Sequence, residues 1–168
     1  MNRIRALGGP NFLWIALMIA TLAGLSAALC QALGFAGWLM FLGWSTYVTG
    51  NGSIKAGWSA SACALLGVPV GILGAIAIGK LGALGFFAGP VIVFTLAGLA
   101  VLSTLVPPLN SPVGCFLGLL GYFGSGLKPE VASIVPVAGP ILIGVLSGWI
   151  AGLLAGRIAA AGSPAPTT

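Results

Sequence analysis

Six runs of apolar residues, separated by short segments rich in Gly, Pro, Asn and Ser, make up nearly the whole chain. Such runs are typical of helices that cross a membrane, and the turn-forming residues mark where each helix ends. Only the break near Gly34 is indistinct. The pattern predicts an all-α polytopic membrane protein with hydrophobic segments at 12–33, 35–48, 58–78, 84–106, 113–123 and 131–156.

The second and fifth segments are too short for an ordinary crossing. Segment 35–48 would reach only about 21 Å as a helix, whereas the hydrocarbon core of a bilayer is about 30 Å thick. Each short segment is therefore either a re-entrant half-helix or a crossing completed by extended backbone. Non-helical backbone at membrane depth requires protein or a water-filled cavity around it. We expect both short segments inside the helix bundle, close to any pathway.

The order of the segments occurs twice along the chain. The sequence TLAGL at 21–25 recurs unchanged at 95–99, FLG at 41–43 recurs at 116–118, and Tyr47 corresponds to Tyr122. These matches predict two pseudo-repeated halves, at about 12–80 and 84–158. Repeated halves are a common plan of transporters, in which interrupted helices form the binding site at the repeat interface.

These boundaries predict one transmembrane domain over 12–158. Residues 1–11 form a leader that contains Arg3 and Arg5, and we expect it on the cytoplasmic side. The tail 159–168 carries Gly, Ser and Pro residues without an apolar face, so it is expected to be disordered.

Glycines at four-residue spacing point to close helix packing. A glycine at every fourth position leaves one helix face bare, so that another backbone can approach it. The face lies either against another helix of the same chain or in a homo-oligomer interface, and the sequence favours neither. The packing glycines are Gly144, Gly148, Gly152 and Gly156 in the last segment, with a weaker set at Gly67 and Gly71 in the third.

Composition and charge exclude several classes of function. Apolar residues make up 59% of the chain and charged residues 4%, with a mean hydropathy of +1.18, whereas a soluble domain has about 25% charged residues. The chain has no His and one carboxylate, Glu130, so paired-carboxylate or histidine catalysis and the usual metal sites have no residues to form them. We expect no enzyme, no cofactor and no metal. The dispersed cations form no patch for nucleic acid.

The positive-inside rule does not decide how many segments cross. With six crossings and a cytoplasmic N-terminus, Lys55 is inside and Lys80 outside; re-entrant short segments exchange the two and leave the charge count the same. Six crossings are favoured here because Trp58 follows Val48 at a distance that leaves room to complete the second span.

Neutral polar side chains around the short segments are the pathway candidates. Coupled carriers commonly place Asp, Glu or His at membrane depth, and no charged residue falls securely within these segments. Passive movement of a small neutral solute fits better. For any single Ser or Thr the alternative is a bond to its own helix, and for the tyrosines it is anchoring at the interface. The candidates are Ser45, Thr46, Tyr47, Thr49, Asn51, Tyr122 and Ser125.

The run WLMFLGWSTY at 38–47, followed by GSIKAG at 52–57 and a helix of small residues, resembles the bacterial inner-membrane proteins of the YcdZ type. The resemblance is specific over about 34–67 and covers the rest of the chain only in layout. That family has no known function, so the resemblance implies a location in the bacterial inner membrane and no activity.

The expected function is therefore a channel or facilitator for a small uncharged solute, with the lipid bilayer and a second copy of the chain as partners. The alternative is a scaffold or accessory subunit that does not transport and binds other helices through its glycine faces.

Overall fold

A computed structural model describes residues 11–50 and 53–161, and helices dominate both parts. Short 3₁₀ turns at Gly82–Phe87, Ser103–Leu105 and Val131–Ser133 flank the last helices, and the described residues contain no strand. This confirms the predicted all-α fold. The α-helices are α1 (Phe12–Ala32), α2 (Gly37–Val48), α3 (Ile54–Lys80), α4 (Ala88–Leu102), α5 (Pro112–Ser125) and α6 (Ile134–Ala161).

The start of α3 differs from the sequence prediction. The helix begins at Ile54, before the predicted Trp58, because the Ser53 hydroxyl accepts a hydrogen bond from the Ala56 amide at 3.4 Å and caps it. Helix α2 ends at Val48, and α3 begins four residues earlier than predicted.

At the ends of the chain, α6 continues to Ala161, which is within the predicted tail. The rest of that tail, 162–168, and leader residues 1–10 lie outside the described residues.

Four helical stretches are long and apolar enough to cross a membrane: Phe12–Ala32, Ile54–Lys80, Gly82–Leu105 and Val131–Ala160. Their outward faces carry large apolar side chains; Phe94 on α4, for example, is 82% exposed. Such a surface is stable in lipid rather than in water. In contrast, α2 has 12 residues and α5 has 14, or about 18 and 21 Å of helix.

Side-chain contacts define the directions of the helices. Antiparallel α1 and α6 are joined by a bond from Asn11 Nδ2 to the Ile158 carbonyl at 2.9 Å and by the Ser26 and Ser147 hydroxyls, 2.6 Å apart. Near the start of α3, the Trp58 ring lies 6.3 Å from that of Trp149, in the second half of α6. Residue 11, the start of α3 and the end of α6 therefore lie at one end of the bundle.

The two short helices form the centre with α3 and α6. Helix α2 runs parallel to α6, and α5 runs parallel to α3, so each short helix packs along a long helix from the other half of the chain. The two short helices are antiparallel, with Trp38 of α2 beside Gly124 of α5. The core between these four helices includes Leu39, Val68, Tyr122, Val137 and Ile141.

Glycines on the long helices allow the short helices to pack closely against them, and this occurs in both helix pairs. A Cβ on Gly144 of α6 would overlap the Met40 carbonyl oxygen of α2. At the other pair, a Cβ on Gly67 of α3 would lie 2.6 Å from the Cys115 carbonyl oxygen of α5. Each short helix thus presents its backbone to a glycine of a long helix, and any side chain at that glycine would separate the two.

Candidate functional site

The predicted pathway hydroxyls of the first half lie at the carboxyl end of α2. Thr46 is fully buried and its hydroxyl donates to the Leu42 carbonyl at 2.7 Å. The Thr49 hydroxyl donates to the Thr46 carbonyl at 2.6 Å, and Ser45 is exposed. Both threonines therefore bond to their own helix, which is the alternative named for them above. Asn51 lies outside the described residues.

Tyr47 is half-buried at the junction of α2, α3 and α6. Its ring lies over Gly57, where an added Cβ would come within 2.8 Å of it. The ring also packs edge-on against Trp58, with ring centroids 6.3 Å apart. Its Cβ lies next to Gly148 of α6. Together with Trp44, Val48, Gly148 and Gly152, this ring lines a cavity of about 260 Å³.

A larger and more polar cavity lies beside it, at the end of the bundle where α3 begins. Its volume is about 480 Å³, and Ser53 lines both cavities. The Ser59 hydroxyl bonds to Asn110 Oδ1 at 2.8 Å and to the Pro108 carbonyl, which ties α3 to the connection before α5. Among the described residues that line this cavity, Lys55 alone is charged. We call the cavity lined by Ser53, Lys55, Ser59 and Asn110 the polar vestibule.

Sequence reasoning did not assign Ser53 or Ser59 to a site. Ser53 precedes an apolar helix, which is a signal for a helix cap, and Ser59 is one small residue among several. No spacing in the sequence connects Ser59 with Asn110, because the two meet only when α3 packs against α5.

Tyr122 occupies a different environment from Tyr47. Its side chain is 2% exposed and packs against Gly71 of α3, and its hydroxyl lies 3.4 Å from the Leu127 carbonyl. Ser125 donates to the Tyr122 carbonyl at 2.6 Å. Because α2 and α5 are antiparallel, the structure places Tyr47 near the start of α3, beside Gly57, and Tyr122 in the core, beside Gly71. They do not form one site.

The predicted packing glycines divide into two groups. Gly67, Gly71, Gly144 and Gly148 face other helices of the same chain. In contrast, Gly152 and Gly156 are exposed. A Cβ at either position would have no described heavy atom within 4 Å, apart from its chain neighbours and its own helix backbone. The glycine face of α6 is thus packed against other helices over its first part, borders the cavity beside Tyr47 at Gly152 and is exposed at Gly156.

The all-helical fold and the four long apolar helices are those expected of a helical membrane protein. Residues 16–156 match the family described as a protein of unknown function, DUF1097, and the chain belongs to that family. No curated protein and no solved structure matches the chain.

Proposed function

We propose that this protein is a multi-pass protein of the bacterial inner membrane through which a small uncharged solute moves passively. The observation that carries the proposal is the polar vestibule, whose described lining includes the hydroxyls of Ser53 and Ser59, the Asn110 amide and one cation, beside Ala56 and two prolines. The hydroxyl and amide groups donate and accept hydrogen bonds without a fixed charge, as recognition of a neutral solute requires, and Lys55 is the one charged group among the described lining residues.

The vestibule leads toward Tyr47 through the shared residue Ser53. Beyond it, the core around Leu39, Thr46 and Ile141 is closed. Passage therefore requires α2 and α5 to move against α6 and α3. Two repeated halves, each with a short helix packed on a long helix of the other half, would allow such rocking around the centre.

We further propose six crossings with the N-terminus in the cytoplasm. Residue 11, the start of α3 and the end of α6 share one end of the bundle, which groups Lys55 with Arg157, and the end of α3 places Lys80 at the other. A tight turn at Gly34, with a φ of 73°, reverses the chain between α1 and α2.

Impermeant thiol labelling tests this topology. In intact cells, Lys80→Cys should react with an external maleimide, and Lys55→Cys should react only after the membrane is permeabilised. Both variants are made in a background that lacks Cys30, Cys63 and Cys115, because Cys115 is only partly buried, and this background without a new cysteine is the control. Reaction of Lys55→Cys from outside, with Lys80→Cys protected, would establish re-entrant short helices instead.

Flux into liposomes tests transport. We expect the purified protein to speed the entry of neutral solutes such as glycerol or urea, and not of potassium or chloride. Tyr47→Ala removes a ring that lines the cavity beside the vestibule, so we expect it to change the flux about tenfold, which corresponds to about 1.4 kcal/mol of barrier.

The matched control is Trp14→Ala, which removes an aromatic ring that is exposed on α1 and should leave the flux unchanged. Equal flux in all three proteins would remove Tyr47 from the pathway. Flux no faster than in empty liposomes for every neutral solute would contradict transport itself.

The outward position of Gly152 and Gly156 favours the second candidate function, a scaffold that does not transport. Bare glycines on a lipid-facing helix allow another helix to approach closely. A second copy of the chain is the partner proposed for this face. The two functions are distinguished by the liposome assay, since a scaffold would give no flux.

A further inference from the structure

A third cavity, separate from the vestibule, opens between α3, α4 and α5. Its volume is about 290 Å³ and its lining is almost entirely apolar. For comparison, an apolar cavity of about 150 Å³ in a protein interior stays dry and holds benzene. The lining includes Cys63, Leu66, Leu96, Leu99, Ala100 and Cys115.

The polar atoms in this cavity are already occupied. The Ser103 hydroxyl donates to the Ala100 carbonyl at 2.8 Å and also lies 3.5 Å from the Cys115 sulfur. A polar solute would therefore lose its hydrogen bonds to water on entry without gaining new ones. The cavity selects an apolar guest.

The contacts of the two short helices place Met40 and Cys115 in corresponding positions. The Met40 carbonyl lies against Gly144 in one helix pair, and the Cys115 carbonyl holds the same position against Gly67 in the other. The Met40 side chain is fully buried. Helix α1, which flanks α6, is joined to it by the Ser26 and Ser147 hydroxyls. Cys115 has a shorter side chain and is only partly buried, so the space beside it is not filled by the protein.

The opening of the cavity faces outward from the bundle. Leu66 and Leu99, on its lining, are 47% and 53% exposed. Leu96, Ala100 and Cys63 are buried and form its inner part. Both α3 and the helical stretch that contains α4 have the length and apolarity of membrane spans, which suits this side of the bundle to the hydrocarbon of a bilayer.

We propose that this cavity binds an acyl chain of a membrane phospholipid. In the bilayer the acyl chain is the solvent, so the gain on entry comes from van der Waals contact with walls that would otherwise have no partner atoms. The proposal is independent of solute transport, because the vestibule and this cavity have different linings and its test measures no flux.

Photo-crosslinking tests the proposal. The full chain is reconstituted into phosphatidylethanolamine and phosphatidylglycerol vesicles that contain a phosphatidylethanolamine with a diazirine in one acyl chain. After illumination, mass spectrometry maps the adducts. We expect adducts on Leu96, Ala100 or Cys63, which lipid at the protein surface does not reach, in addition to adducts on exposed residues such as Phe94.

Cys115→Met should abolish the adducts on the inner residues, because the longer side chain fills the cavity as Met40 fills its own position. Ala100→Val, which fills the cavity from α4, is the second variant and should have the same effect. The control is Leu120→Met on α5, whose side chain is exposed and which should leave every adduct in place.

Thermal unfolding in detergent shows whether each variant is folded. Adducts confined to exposed residues in the unmodified protein would overturn the proposal. Inner adducts that persist in both folded filling variants would also overturn it.

Discussion

Gly144→Ala should destabilise the protein severely, although it adds one methyl group. The new Cβ would overlap the Met40 carbonyl oxygen and lie 2.8 Å from the Trp44 amide nitrogen, both of which belong to the rigid backbone of α2. The short helix has to move away from α6, which opens the core. We expect a loss of about 3 kcal/mol in the free energy of unfolding, measured by titration with dodecyl sulfate in mixed micelles.

The same substitution further along α6 provides a matched control. Gly152→Ala and Gly156→Ala place the methyl group in open space, and alanine is the better helix former. Neither variant should be less stable than the unmodified protein. Gly144→Ala with unchanged stability would show that α2 is not held against α6 as described.

The outward glycines also test the proposed homo-oligomer. Gly152→Leu should leave the monomer folded and shift the purified protein to a smaller species if the last turns of α6 form the interface. An unchanged oligomer would remove that face from the scaffold hypothesis.

Tyr122→Ala should be the second strongly destabilising change. The ring is buried between α5 and α3, against Gly71, and its removal leaves a large cavity in the core. We expect a loss of about 3 kcal/mol or more in the same titration. Phe94→Ala is the control for removal of an aromatic ring, since Phe94 is an exposed residue of α4 and its loss should cost less than about 0.5 kcal/mol.

Tyr122→Phe separates the ring from the hydroxyl. The hydroxyl makes one long hydrogen bond, to the Leu127 carbonyl at 3.4 Å, and hydrogen bonds inside membrane proteins contribute about 0.6 kcal/mol on average. The variant should therefore be nearly as stable as the unmodified protein. A loss as large as that of Tyr122→Ala would show that the hydroxyl, and not ring packing, stabilises this position.

Tyr122 illustrates why the candidate site was only partly predictable. In the sequence it corresponds to Tyr47, and the correspondence suggested a shared role in one pathway. The structure buries Tyr122 in the core against α3 and leaves Tyr47 at a cavity near the start of that helix. Correspondence in sequence does not determine proximity, because the two short helices run in opposite directions.

The glycine spacing had a similar limit. A four-residue period predicts that Gly144, Gly148, Gly152 and Gly156 share a helix face, since this follows from the geometry of one helix. It does not show where a partner helix ends. Helix α2 is short enough that it covers Gly144 and Gly148 and leaves the last two exposed.

The sequence by itself determined that the chain is all-helical, with long helices apolar enough to cross a membrane and two unusually short ones. Apolarity and segment length are local properties, and the bilayer converts them directly into helices. Only the tertiary structure decided which glycines are in contact, that Ser59 meets Asn110, and that a cavity remains beside Cys115. Each of these depends on what lies opposite a residue on another helix, and that is set by packing between segments distant in sequence.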